Sequence, residues 1–80
     1  MRFRKGCFEV VISRHAFERA MQRGIHPDLI ESCLQTGRVE RFGKSNFKMV
    51  KDFRKFSVIC VDEMVGSAIK IVTIEKKWKL

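Results

Sequence analysis

His15, Arg19 and Arg23 stand four residues apart within Ser13-Arg14-His15-Ala16-Phe17-Glu18-Arg19-Ala20-Met21-Gln22-Arg23-Gly24-Ile25. At about 100° per residue they fall at roughly 0°, 40° and 80° around a helix axis, so one imidazole and two guanidiniums share a stripe. Together such groups can handle a phosphodiester. An imidazole serves as base or acid near neutrality, and guanidiniums hold phosphate oxygens in bidentate pairs and stabilise a pentacoordinate phosphate. Cleavage of RNA through the neighbouring 2′-hydroxyl needs those parts. The plain alternative is a solvated helix face, with Arg19 and Arg23 paired to Glu18 or Glu40 and His15 bonded to a carbonyl near the helix start.

Sheet residues facing the stripe would complete such a site, with Lys48, Lys70 and Thr73 as candidates. Lys44 lies in Gly43-Lys44-Ser45, which resembles the end of a phosphate-binding loop. That loop would need glycine at position 38, which is Arg38, and a helix where the chain continues as a strand. The segment therefore reads as a hairpin turn with a basic tip. His15 and His26 have no Cys or carboxylate at ligand spacing, so no metal or other cofactor is expected. Ser13 is a helix cap, and no triad forms around His15. Phe42, Phe47, Phe53 and Phe56 lie among Arg and Lys residues and could stack bases, but a chain this small needs them for its core. Trp78, in Lys76-Lys77-Trp78-Lys79-Leu80, is the stronger candidate for exposed stacking, or else it docks the tail. Lys44, Lys48, Lys70 and Trp78 are thus the expected nucleic-acid contacts.

These groups need a scaffold. Eighty residues make one domain, 1–80, burying about 60% of the surface its unfolded chain exposes, and a dimer would help so small a core. Composition is globular, 45% hydrophobic with seven Phe. Seventeen basic residues against nine acidic give a net charge of +8, a field that draws polyanions. RNA or another nucleic acid is the first partner class, and an acidic protein the second. With no strongly basic amphipathic helix and no apolar run of spanning length, a membrane is not expected. Cys7, Cys33 and Cys60 have no CxxC spacing, and Cys33 and Cys60 fall on apolar positions, so both read as buried thiols. Met1-Arg2-Phe3-Arg4-Lys5 is followed only by the short run Val10-Val11-Ile12, interrupted upstream by Glu9, so a cytoplasmic protein is expected.

Ser13 caps a first helix that Gly24 ends, burying Ala16, Phe17, Ala20 and Met21. Pro27 and Asp28 begin a second helix that runs to about Thr36 and stops at Gly37, with Leu29, Ile30, Cys33 and Leu34 on its core face. From Arg38 the period changes to two, giving strands at Arg38–Phe42, Phe47–Phe53, Lys55–Asp62 and Ala68–Lys76. Their short connections require antiparallel pairing. The expected fold is α+β: two N-terminal helices on one face of a four-stranded antiparallel sheet, with Phe8–Ile12 as a short extra N-terminal strand at one edge.

The pattern His15-x-x-x-Arg19-x-x-x-Arg23-Gly24-Ile25, a second helix, and a closing strand ending Ile71-Val72-Thr73-Ile74 resembles domain-of-unknown-function family 4258. The resemblance covers about Ile12 to Ile74. That family is similar in architecture to RelE/ParE-type toxins and to the wider group of barnase-, EndoU-, colicin- and RelE-like ribonucleases. In that group a helix histidine, basic residues and a late-strand hydroxyl form a metal-independent RNA-cleaving site. Carried over, this implicates His15, Arg19, Arg23 and Thr73, and implies an acidic antitoxin-like partner. The chain departs from the pattern in having no tyrosine, with Glu75 near the place of an expected aromatic, and in His26-Pro27 where a Ser or Thr cap is usual. A non-catalytic basic adaptor is the rival reading. For it, His15→Ala changes little and the Arg and Lys residues carry a steep salt dependence.

Overall fold

The computed structural model describes residues 2–79, with side chains from residue 6 onward. In chain order it runs β1 (Arg2–Lys5), β2 (Phe8–Ile12), α1 (Arg14–Gln22), α2 (Pro27–Thr36), β3 (Arg38–Phe42), β4 (Asn46–Asp52), β5 (Phe56–Val65) and β6 (Ala68–Trp78). The Ser13 hydroxyl accepts a hydrogen bond from the Ala16 N–H at 3.1 Å, satisfying a donor left open at the start of α1. Gly24, with φ +74°, supplies the left-handed residue that turns the chain after α1. Pro27 opens α2 without a side-chain cap from His26. Ala16 and Ala20 are buried, but Phe17 is half-buried and Met21 is 36% exposed, so α1 buries a narrower face than its apolar spacing indicates.

The sheet corrects the four-stranded antiparallel expectation. Among the described residues it has six strands in the order β1-β2-β6-β5-β4-β3, and it is mixed. From β3 to β6 the strands form the antiparallel meander that short turns impose. The segment expected as an extra edge strand lies inside instead. As β2 it runs parallel to β6, from Glu9 beside Ala68 to Ile12 beside Ile71, and β1 lies antiparallel outside it. No turn could announce that pairing, because β2 returns to β6 across both helices and three strands. Burial specifies it: Val10 and Ile12 are 0% and 2% exposed, in register with Ile69 and Ile71 in one apolar row.

Helix α1 packs on β6, and α2 on β4 and β5. Ile25, Ile30, Leu34, Met49, Ile71 and Ile74 are fully buried between these layers, each contributing about 1.5–3 kcal/mol of transfer free energy. Cys33 and Cys60 are buried free thiols, and the Cys33 sulfur reaches the carbonyls of Met49 at 3.3 Å and Val58 at 3.4 Å. The chain leaves α2 at Gly37 so close to backbone that a Cβ there would strike the Cys33 carbonyl oxygen and stand 3.1 Å from that of Val50. On β6 the register slips: Thr73 opposes Val61 while Ile71 opposes Asp62, leaving Val72 as an extra residue. This bulge lets Ile71 and Ile74, an odd number of positions apart, both face the core at 0% and 1% exposure. Among the described residues, no helix is long and apolar enough to cross a membrane.

Candidate functional site

The site exists because β2 ends before β6 does. The pairing of β2 with β6 stops at Ile12 beside Ile71, where the chain turns through Ser13 into α1, while β6 continues to Trp78. Helix α1 flanks the stretch of β6 that β2 no longer covers. Between them lies a cleft of about 120 Å³ lined by His15, Ala16, Arg19, Arg23, Val72, Thr73 and Ile74. That is roughly the share of four waters in the liquid, enough for a tetrahedral oxyanion.

His15, Arg19 and Arg23 come from one face of the helix and are exposed, and Thr73 is half-buried on the strand. Thr73 sits directly after the extra residue of the bulge, a common device for re-aiming side chains beside a site. The two arginines differ. Arg23 donates from Nη1 to the Ile74 carbonyl oxygen at 2.8 Å, closing one end of the cleft and tying α1 to the edge of β6. Among the described residues, His15 and Arg19 make no side-chain hydrogen bond or ion pair. The carboxylates that the plain alternative pairs with Arg19 and Arg23 are occupied elsewhere: Glu18 pairs with Arg14 at 3.1 Å, and Glu40 with Arg38 at 3.0 Å and Lys48 at 3.8 Å. No carboxylate lines the cleft among the described residues. Its positive potential is therefore uncompensated from within.

The other expected contacts do not join this cleft. Lys44 lies in the β3–β4 turn. Lys48 sits on β4 beside Glu40, and Lys70 is exposed on β6, next to Val11 and Glu63 in register. Trp78 ends β6, 64% exposed, and meets Phe56 edge-on with ring centroids 5.6 Å apart. Phe47 is buried at 9% exposure, Phe53 and Phe56 pack partly against the core, and Phe42 is 43% exposed. Among the described residues, no three His, Cys, Asp or Glu side chains gather as a metal site would require.

Two features escape a reading of the sequence. Asp62 is fully buried on β5, in the same alternating row as Val58 and Cys60. Counting by two from Val58 places a carboxylate there. The hydrogen bond with Cys33, and then burial, hold the Cys60 thiol protonated well above the ordinary thiol range, so it is no nucleophile. The second feature is an apolar groove of about 390 Å³ lined by Gly6, Cys7, Phe8, Val39, Phe47, Met64 and Ile69. It joins segments far apart in sequence, and no local pattern encodes it.

This combination, a mixed α+β sheet with a basic helix–strand cleft, accompanies a match to a sequence family. The chain belongs to the family described as Domain of unknown function (DUF4258), whose profile matches residues 12–76. No curated protein and no solved structure matches the chain.

Proposed function

We propose that the α1–β6 cleft binds an RNA phosphodiester and promotes its cleavage without a metal. The observation that supports this most is the meeting of His15, Arg19, Arg23 and Thr73 around one phosphate-sized space that, among the described residues, no carboxylate lines. Arg19 and the remaining donors of Arg23 hold the non-bridging oxygens, and the Thr73 hydroxyl donates to one of them. His15 takes the proton of the 2′-hydroxyl as the 2′-oxygen bonds to phosphorus. The bond to the 5′-oxygen breaks, giving a 2′,3′-cyclic phosphate and a 5′-hydroxyl. Among the described residues, no second imidazole or carboxylic acid lines the cleft, so the leaving oxygen takes its proton from water or from the imidazolium. The helix motif resembles that of family 4258, which is similar in architecture to toxin-type ribonucleases, and this supports the same reading.

The test is incubation of a mixed RNA ladder with the protein in EDTA, beside His15→Ala. Cleavage lost in the variant, with its fold and RNA binding intact, is the expected result. Cleavage that survives the substitution removes His15 from the mechanism. A specific observation favours a second reading, in which the domain is a non-catalytic adaptor for a protein. The apolar groove that Phe8, Val39, Phe47, Met64 and Ile69 line is a surface of the kind that takes an apolar segment of a partner protein, and the net charge of +8 favours an acidic one. On that reading RNA is left intact and His15→Ala is silent.

A further inference from the structure

Arg23 also lines a second, more open cleft of about 410 Å³ with Glu75, Lys76 and Lys77, so the two clefts lie end to end along β6 on either side of its side chain. Lys76 then links this second cleft to an aromatic cluster. Its ammonium stands 4.5 Å from the ring centroids of both Phe56 and Trp78. Phe56 stacks in turn on Phe53, with centroids 5.1 Å apart and planes 28° apart. From Thr73 to Trp78 the strand covers about 17 Å at its usual rise. Arg23, Lys76 and Lys77 outnumber Glu75 along that path, and a large aromatic surface lies at its end.

We propose that this end of β6 is a nucleobase-binding subsite for single-stranded RNA. Trp78, backed by Phe56, offers a face to one base, and Lys76 and Lys77 hold the backbone that runs on from the phosphate in the His15 cleft. The inference rests on the reading of that cleft as an RNA site and adds which part of the strand is held beyond it. Three features carry it. Trp78 is 64% exposed although an apolar partner lies beside it. Its neighbours Phe53 and Phe56 are anchored against the core, so the platform is preorganised. The Lys76 ammonium lies against both the Phe56 and Trp78 rings, and stacking with a flanking cation is how proteins hold single strands with little sequence preference. An acidic peptide would meet the same cations but brings no planar base beside each charge to stack on the aromatic face.

Trp78 is the only tryptophan of the chain, so its emission reports this subsite alone. The probes are a 2′-O-methyl RNA hexamer, which has no free 2′-hydroxyl to react, and an abasic hexamer with the same phosphates. Affinity is read from the anisotropy of the end-labelled probes. The hexamer with bases is expected to change Trp78 emission and to bind about ten-fold more tightly than the abasic one. Trp78→Leu should erase that ratio while leaving abasic binding unchanged at a temperature where the variant is folded, and Trp78→Phe should keep most of it. A ratio that survives Trp78→Leu, or an emission that stays constant while the hexamer binds, overturns the subsite. Equal binding of both probes, weakened alike by Arg19→Met, also overturns it and leaves the His15 cleft standing. Binding of neither probe removes both.

Discussion

Replacing Arg23 by methionine should destabilise the domain, whereas the same change at Arg19, one helical turn earlier, should not. Both arginines line the cleft, but only Arg23 reaches across it, donating to the Ile74 carbonyl at 2.8 Å. A hydrogen bond from a charged donor contributes about 1.5–3 kcal/mol net. After truncation, water can reach that carbonyl, because β2 does not cover β6 beyond Ile71. The expected effect is therefore at the low end, about 1–2 kcal/mol. For a domain of this size each kcal/mol moves Tm by about 4–8 °C, so Arg23→Met should melt about 4–16 °C lower. Arg19→Met removes an exposed side chain with no hydrogen bond, and its stability should stay within about 0.5 kcal/mol. Melting curves by circular dichroism measure this, and anisotropy with a labelled RNA hexamer supplies the second coordinate. Both variants should bind more weakly at a temperature where both are folded. The slope of log affinity against log salt should flatten by about 0.7 for each phosphate that the protein no longer neutralises. Equal melting temperatures, or a larger destabilisation by Arg19→Met, would refute the division of labour.

Gly37→Ala should destabilise by about 1–3 kcal/mol in a urea titration, because the new methyl group meets backbone carbonyls of Cys33 and Val50 that cannot step aside. The Ser57 hydroxyl and the Arg38 guanidinium hold the Asp52 carboxyl below its usual range. Its contribution to stability is thus present above the unfolded value of about 3.9 and is lost as pH falls through the lower folded value. The gap in urea midpoint between wild type and Asp52→Asn should therefore be open at neutral pH and close in acid; a constant gap would count against this. An aromatic disulfide reagent should titrate Cys7 at once in the native protein, and Cys33 and Cys60 only after unfolding. Fast reaction of all three thiols would contradict their placement.

The helices were legible because their signals are local. A serine cap, a glycine with left-handed backbone and a proline in a first turn act within a few residues of where they stand, and Ser13, Gly24 and Pro27 did so. The antiparallel meander followed from turn length for the same reason. The parallel seam between β2 and β6 was not legible, since what joins Val10 to Ile69 is shared burial across most of the chain. The bulge at Val72 was hidden too: an alternating pattern read by eye runs through Thr73 without showing that the phase has shifted. The site shows the same division. Helical spacing aligned His15, Arg19 and Arg23, whereas the separation of Lys44, Lys48 and Lys70 from them depends on strand order. The carbonyl that engages Arg23 belongs to the backbone, which carries no sequence signal.

The most direct test of the cleft as a cleavage centre is mass spectrometry of RNA ends after incubation in EDTA, with naked and ribosome-loaded RNA as substrates. The wild type is expected to produce fragments bearing 2′,3′-cyclic phosphates and 5′-hydroxyls, and His15→Ala none. Intact RNA from both substrates, or fragments carrying 5′-phosphates, would contradict it.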